Sequence, residues 1–263
     1  MKRDWLFSGL SALRYLWRGQ SNLYIHSPFV FEFCNQVRDA PPSPAALKVR
    51  DFFQHKSRES VAMEWDHPSG KRIHTSRRIL IQRSSLPPAY GFLLNNLVRH
   101  YGVKRILELG THLGVGTSYL CAGNQLDRCI SLEGSAVLTE QARNHFLQQG
   151  LQSVEVVTGL FHETLPGVIS EQKPFDLIFF DGHHDGEATW QYFLQCLACS
   201  HPKTVFVFDD IYWSRDMQAA WKKIVHHEAV RLSIDLYRLG IVFFRQEQLQ
   251  PEHFCLRYGW HLA

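Results

Sequence analysis

The sequence predicts an α/β protein built on a doubly wound, mostly parallel sheet. Short apolar segments of strand length alternate with helical segments from about Ala89 onward, and this alternation is typical of parallel strands covered by helices on both faces. Acidic residues follow several of the predicted strands, at the edge where an open α/β sheet binds ligands. The last two strands are separated only by Arg238-Leu239-Gly240. Because that connection is too short for a crossover helix, it predicts an antiparallel hairpin.

Apolar patterning places the elements along the chain. A helix from Gly91 to His100, with apolar residues at helical spacing, leads into the first strand at 103–108. The later strands are predicted at 129–132, 154–157, 175–180, 204–208, 231–237 and 240–245. The later helices are predicted at about 117–123, 136–149, 187–199 and 215–227, with one more entering near Glu163.

The first third of the chain lacks this regular alternation. A helix is expected to begin at Pro28, because proline suits the first turn of a helix, and the cluster Pro41-Pro42-Ser43-Pro44 breaks the chain after it. Residues 64–85 are expected to form a polar, basic loop. A solvated surface is the favoured interpretation of that loop, and contact with an anionic substrate or nucleic acid is the alternative.

Composition limits the class of protein. A chain of 263 residues with 45% hydrophobic residues can bury a full core, and a net charge of +3 is too small to indicate nucleic-acid binding by itself. No apolar stretch approaches the ~20 residues that a membrane span requires. The six cysteines show no disulfide framework, so buried thiols and a cytoplasmic location are expected, also for the pair Cys196 and Cys199.

The segment from Val103 to Tyr119 combines a strand, a glycine turn and the start of a helix. Gly110, Gly114 and Gly116 allow the backbone to approach a ligand closely, and free N–H groups at the start of a helix would face it. This arrangement predicts a nucleotide-binding corner.

The run Glu108-Leu-Gly-Thr-His-Leu-Gly114 resembles motif I of the class I methyltransferases. The spacing E-x-G-x-x-x-G and the terminal hairpin favour that family over the dinucleotide dehydrogenases. The resemblance implies a Rossmann-like sheet of seven strands over 86–263, a helical extension over 1–85, and S-adenosylmethionine as the methyl donor. Glu133 ends the second strand, where the family keeps an acid for the ribose hydroxyls. The donor-binding residues that the resemblance implies are Glu108, Gly110, His112, Gly114, Thr117, Glu133, Phe161, His162, Asp181 and His183.

The ends of the fourth and fifth strands resemble the O-methyltransferases related to catechol O-methyltransferase. That resemblance implies Asp181, Asp209 and Asp210 as ligands of Mg²⁺ or another divalent cation, which would favour the ionised form of a bound hydroxyl. His184 stands where the family keeps a catalytic lysine and is the expected base, and Asp181 is expected to be the second catalytic residue. Asp210 replaces the family's usual asparagine, and Gly116 replaces a serine that contacts the methionine carboxylate, for which Thr117 or Ser118 would substitute.

These observations predict metal-assisted methylation of a hydroxyl group on a small molecule. Tyr212 and Trp213 are expected to help select that acceptor, which the sequence does not name. One alternative is a non-catalytic binding or assembly protein, in which the aromatic N-terminal extension forms a partner or homodimer surface. A nucleic-acid methyltransferase is disfavoured, because the fourth strand ends in Asp-Gly-His-His rather than the motif common in amino methyltransferases of bases.

Overall fold

The computed structural model describes residues 5–20, 25–66, 71–171, 174–247 and 250–258. They form two compact units, of which the first combines residues 1–34 with 171–263 and the second contains residues 35–170. Neither unit ends at residue 85. The division of the chain into an extension over 1–85 and a main domain over 86–263 stays a prediction.

Three strands of the second unit run parallel, in the order β3 (Arg105–Leu109), β4 (Arg128–Glu133) and β5 (Val154–Thr158). Arg105 of β3 lies opposite Arg128 of β4, and Cys129 of β4 lies opposite Val154 of β5. This unit also contains the strands β1 (Ala62–Asp66) and β2 (Arg72–Ser76). Its helices are α3 (Pro44–Lys56), α4 (Arg77–Ser84), α5 (Pro88–His100), α6 (Val115–Cys121), α7 (Ala136–Gln149) and α8 (Phe161–Glu171).

The first unit contains five strands, in the order β6 (Leu177–Phe180), β7 (Val205–Phe208), β9 (Gly240–Phe243), β8 (Leu232–Asp235) and β10 (Glu252–Cys255). β6 and β7 run parallel, and β9 runs antiparallel to both β7 and β8, so the predicted terminal hairpin is confirmed. The helices are α1 (Trp5–Arg18), α2 (Pro28–Phe33), α9 (Gly186–Leu197) and α10 (Arg215–Val225), and a π-helical turn at Cys34–Arg38 follows α2.

The predicted α/β class is confirmed, and each strand predicted from 103 onward is present within a few residues. β10 was not predicted, because Glu252-His-Phe-Cys255 is short and polar; it adds to the sheet edge parallel to β8. The prediction of a polar loop over residues 64–85 is wrong. β1 and β2 form an antiparallel hairpin, and α4 follows. In β1, Met63 and Trp65 are buried whereas Ala62 and Glu64 are exposed, which is the alternation of a half-buried strand.

The basic residues of the hairpin and α4 are partly neutralised by neighbouring acids. Arg72 forms an ion pair with Glu64, and Arg77 donates to Glu59 at 2.8 Å. These pairs reduce the positive charge that a nucleic acid would meet, which agrees with the interpretation of the segment as a solvated surface.

The N-terminal helix α1 packs by one face and exposes another. Phe7 and Tyr15 are buried, and the Tyr15 hydroxyl donates to the carbonyl of Leu256. Leu10, Leu13 and Trp17 remain exposed. Packing of this helix on its own chain is therefore observed, while the homodimer stays a prediction. No helix in the described part of the chain is long and apolar enough to cross a membrane.

All six cysteines lie within the described residues, and none of them forms a disulfide bond there. Cys196 and Cys199 are buried, and the Cys199 thiol donates to the carbonyl of Cys196. The expectation of buried thiols at this pair is confirmed.

Candidate functional site

The loop between β3 and α6, residues 110–114, is held by the end of β4. The N–H groups of Gly110 and Thr111 both donate to the carbonyl of Leu132, at 3.0 and 3.1 Å. Gly110 and Gly114 have φ of 109° and 78°, which glycine adopts without the steric cost that a Cβ atom brings. The glycine turn that the sequence predicted is therefore present.

Gly114 also lies against the ring of Phe146. A Cβ atom at Gly114 would come within 2.5 Å of that ring, whereas Gly150, with a similar φ of 69°, has nothing within 4 Å. We expect Gly150→Ala to lose about 1 kcal/mol of stability from backbone strain alone. Gly114→Ala should lose roughly 2 kcal/mol more, because the ring must move.

Urea denaturation of the two glycine variants measures this difference. Equal losses in both variants would show that Phe146 yields without cost and that the glycine serves only the backbone conformation.

Glu108, next to the last residue of β3, lies in the protein interior. Its side chain is fully buried, and the hydroxyls of Thr117 and Ser131 both donate to Oε2. Oε1 is buried and has no hydrogen-bond partner among the described residues. Burial raises the pKa of Glu108 to about 7, against the lowering effect of the two hydroxyls. Glu108 thus links β3 to α6 and β4 in the protein interior, and its predicted contact with the donor stays a prediction.

One of Thr117 and Ser118 was expected to contact the methionine carboxylate of the donor. Both are fully buried, Thr117 donates to Glu108, and Ser118 accepts a hydrogen bond from the Gln149 amide at 3.0 Å. Both hydroxyls therefore bond other side chains within the protein interior. That Thr117 binds the donor stays a prediction.

Glu133, the last residue of β4, is the acid best placed to bind a ligand in this unit. It is half-buried, and its two oxygens accept N–H groups from His112 at 2.8 Å and Ser135 at 2.9 Å. Burial raises its pKa, and the backbone N–H groups of Ser135, His112 and Gly134 oppose that shift. Each carboxylate oxygen can accept more than one hydrogen bond, so Glu133 retains capacity for a ligand's hydroxyl groups.

Three further positions were predicted to bind the donor. Phe161 and His162 begin α8, where Phe161 is half-buried and His162 is exposed. His183, in the other unit, lies near Tyr192, with 3.4 Å between Nδ1 and the tyrosine hydroxyl. Their roles in binding stay predictions.

In the first unit, the residues after β6 and β7 surround an arginine. Arg238 donates from Nε to Oδ1 of Asp209 at 2.8 Å and from Nη2 to Oδ2 at 2.7 Å. The Asp209 side chain is 0% exposed and that of Arg238 is 24% exposed. Burial alone would raise the pKa of Asp209, but the charge and hydrogen bonds of Arg238, with a hydrogen bond from Asp181, hold it below its ordinary value.

The strand register explains why this arginine meets this aspartate. Phe208 of β7 lies opposite Gly240 of β9, so the residues that follow Phe208 face the turn that precedes Gly240. The N–H of Ile211 donates to the carbonyl of Arg238 at 3.2 Å, which ties the turn to the loop after β7. From the sequence, Arg238 was predicted only to lie in the short connection between β8 and β9. The available signal was an arginine in a hairpin turn next to a strand that ends in two aspartates.

Asp210 and His184 complete this group, to which Asp181 belongs through its hydrogen bond to Asp209. His184 Nδ1 lies 3.8 Å from Oδ2 of Asp210, and Arg238 Nε lies 3.7 Å from Oδ1 of Asp210. His184 and Asp210 have φ of 42° and 54°, a left-handed conformation that costs non-glycine residues about 1–2 kcal/mol each. Such strain is concentrated at functional sites.

The predicted metal ligands are close to one another but do not form a metal site. Within the described ranges, no three His, Cys, Asp or Glu side chains are arranged to hold a metal ion. Both oxygens of Asp209 are engaged by the guanidinium of Arg238. The set Asp181, Asp209 and Asp210 therefore does not fit a divalent cation as arranged, because a permanent positive charge already takes the place of one.

Tyr212, which was expected to contact the acceptor, lines a cavity of about 420 Å³ in the first unit. Its hydroxyl donates to Oδ2 of Asp235 at 2.6 Å. Arg18, Lys222 and His253 also line this cavity.

Comparison with known proteins covers the glycine loop, Glu133 and the residues that follow β6 and β7. Residues 107–211, from β3 to the loop after β7, match a family model described as a methyltransferase domain. Over these residues the chain is similar to methyltransferases, as the resemblance of its motifs to the class I family implied.

Two curated proteins to which this chain is similar are O-methyltransferases. A catechol O-methyltransferase of Niastella koreensis is 34% identical over 130 residues, which make up 48% of this chain and 58% of the relative. O-methyltransferase imqG of Aspergillus flavus is 29% identical over 116 residues, 42% of this chain and 46% of the relative. The chain therefore spans about half the length of the curated relatives that it matches.

A solved structure has the same fold. The O-methyltransferase of Bacillus cereus in complex with SAH has a TM-score of 0.57 and 22% sequence identity, covering 82% of this chain and 97% of that chain. This likeness confirms the Rossmann-like fold that the resemblance implied.

Proposed function

We propose that this protein is an S-adenosylmethionine-dependent O-methyltransferase that methylates a hydroxyl group of a small molecule. The observation that carries the proposal is the match of residues 107–211 to a methyltransferase domain, whose curated relatives are O-methyltransferases. The matched region contains Glu133, His184 and the aspartates after β6 and β7. Carboxylates and imidazole are the groups that donor binding and proton transfer require.

The donor is proposed to bind at the glycine loop of the second unit. The carboxylate of Glu133 is held in place by N–H groups from two directions, so it can accept hydrogen bonds from both ribose hydroxyls without reorganising. S-adenosylmethionine supplies an electrophilic methyl group on a positively charged sulfur. Gly110, with φ of 109°, carries no side chain between the loop and the proposed donor.

The proton of the acceptor hydroxyl is proposed to pass to His184. Because Nδ1 of His184 faces Asp210, Nε2 is the ring nitrogen that takes the proton. An oxygen lone pair then forms the new bond to the methyl carbon, and the electron pair of the breaking carbon–sulfur bond remains on sulfur. Asp210 is proposed to orient the imidazole from the Nδ1 side. The acceptor is proposed to lie near Tyr212 and Trp213.

Binding of S-adenosylhomocysteine to Glu133→Ala tests the donor site. Removal of two hydrogen bonds to a carboxylate should cost about 2 kcal/mol, or about a 30-fold increase in Kd, measured by isothermal titration calorimetry. Glu155→Ala, on the adjacent strand β5, is the matched control: that side chain is half exposed and pairs with Arg128 on the surface. It should leave Kd unchanged.

The ligand provides a second control for the Glu133 experiment. An analogue that lacks the ribose 2′-hydroxyl should lose affinity for the wild type and much less for Glu133→Ala. If both proteins lost the same affinity, Glu133 would act on the loop and not on the ribose. Absence of any binding to the wild type would overturn the proposed function.

A non-catalytic binding protein is the second candidate, and the exposed face of α1 favours it. Leu10, Leu13 and Trp17 are 54%, 66% and 88% exposed. Normal binding of S-adenosylhomocysteine without methyl transfer to any of a panel of phenols and alcohols would support this second function.

A further inference from the structure

The aspartates after β6 and β7 are balanced by a positive charge that the chain itself supplies. The guanidinium of Arg238 bonds both oxygens of the fully buried Asp209 and lies 3.7 Å from Asp210. Parallel N–H···O bonds of this kind are the strongest that a carboxylate makes with a side chain. The arginine therefore occupies the position toward which these carboxylates would direct a cation.

A divalent cation and this guanidinium exclude one another. A cation bound to either oxygen of Asp209 would lie a few ångströms from the positive charge of Arg238, in a region of low dielectric where like charges repel strongly. The arginine cannot lose its charge to relieve that repulsion, because guanidinium remains protonated at every physiological pH. Either the arginine leaves or the cation does not bind.

The backbone favours the arginine. Its carbonyl accepts the N–H of Ile211, and its own N–H donates to the carbonyl of Leu236 at 2.9 Å within the hairpin turn. Tyr237, the preceding residue, has a left-handed φ of 69°, and its N–H donates to Oδ1 of Asp235 at 2.8 Å. Because the backbone at Arg238 is already fixed on both sides, pairing with Asp209 restricts only the side chain.

We propose that Arg238 replaces the divalent cation in this protein, so that Asp181, Asp209 and Asp210 bind no metal and methyl transfer proceeds without one. The guanidinium is a fixed positive charge on a side chain that is 24% exposed. It favours the ionised form of an acceptor oxygen that approaches it, which is the electrostatic role of a cation in this chemistry. The catalytic part of this inference rests on the proposed function, whereas the absence of cation binding does not.

Titration of the wild type with Mn²⁺, followed by electron paramagnetic resonance without donor or acceptor, tests the inference first. We expect no saturable binding at millimolar Mn²⁺ and no change in Tm with Mg²⁺. Where transfer is measured, chelation with EDTA should leave its rate unchanged. Saturable binding that Asp181→Asn abolishes, or loss of transfer on chelation, would overturn the proposal.

Variants of Arg238 then test the exchange directly. In Arg238→Gln the carboxylates lose their positive partner, and we expect saturable Mn²⁺ binding and a higher Tm in the presence of Mn²⁺. Arg238→Lys keeps the charge and should bind no Mn²⁺, and Arg128→Gln, at an exposed ion pair, should behave as the wild type. A purely structural arginine would change Tm in these variants without changing cation binding. A folded Arg238→Gln that takes up no Mn²⁺ would contradict the proposal.

These measurements separate the inference from the proposed function. If Arg238→Gln does not fold, the wild-type titration alone decides whether the carboxylates take up a cation. A failure to bind S-adenosylhomocysteine would remove the proposed function and leave the cation result intact.

Discussion

Glu108→Gln is expected to be more stable than the wild type above pH 7 and similar to it below pH 4.5. The unfolded chain releases the proton of Glu108 at its ordinary pKa of 4.5, whereas burial raises the pKa of the folded protein to about 7. Between these values the folded state binds more protons than the unfolded state, so stability falls as the pH rises. The loss is complete above the folded pKa and amounts to about 3 kcal/mol.

Glutamine keeps the shape of Glu108 and an acceptor for the hydroxyls of Thr117 and Ser131, but it has no charge to bury. The free energy of unfolding of Glu108→Gln, measured in urea from pH 4 to pH 9 without ligand, should therefore decline less with rising pH than that of the wild type. Glu155→Gln, at a half-exposed position on β5, should follow the wild-type profile. Parallel profiles for wild type and Glu108→Gln would show that Glu108 is already ionised without cost.

Comparison with the wild type is essential because other acids contribute to the same decline. Burial also raises the pKa of Glu133 and of Asp235. Their contribution is present in both proteins and cancels in the difference.

Asp209→Ala is expected to lose about 3 kcal/mol of stability. The substitution leaves Arg238 without the carboxylate that takes two of its N–H groups, and removal of one partner of a buried ion pair typically costs 3–5 kcal/mol. We expect the lower end, because a quarter of the arginine side chain still reaches solvent. Denaturation in urea measures the change as a shift in midpoint.

The exposed pair of Arg128 and Glu155 provides the control for Asp209→Ala. Glu155→Ala should lose less than about 1 kcal/mol, because surface ion pairs contribute little. Replacing Asp209 by Leu and Arg238 by Met together should lose less than Asp209→Ala alone, since no buried charge then lacks a partner. Additive losses in the double variant would mean that the two side chains are energetically independent.

Most of the strands could be predicted from the sequence, whereas the hydrogen-bond partners of the candidate side chains could not. Thr117 was correctly placed at the start of a helix, yet its hydroxyl bonds Glu108 inside the protein. His184 and Asp210 were predicted to follow strand ends, and Nδ1 of His184 lies 3.8 Å from Oδ2 of Asp210. Spacing along a chain predicts which residues reach the end of a strand, but it does not show which direction each side chain takes from there.

The sequence by itself determined the alternation of strands and helices, the glycine loop at 110–114 and the aspartates after β6 and β7. Each of these depends on local pattern: apolar periodicity for the elements, and backbone freedom for the glycines. Only the tertiary structure decided that Arg238 neutralises Asp209. That contact joins residues 29 positions apart, and it follows from the pairing of β7 with β9, a register that no local pattern encodes. The protonation of Glu108 was decided in the same way, because burial is a property of the whole fold.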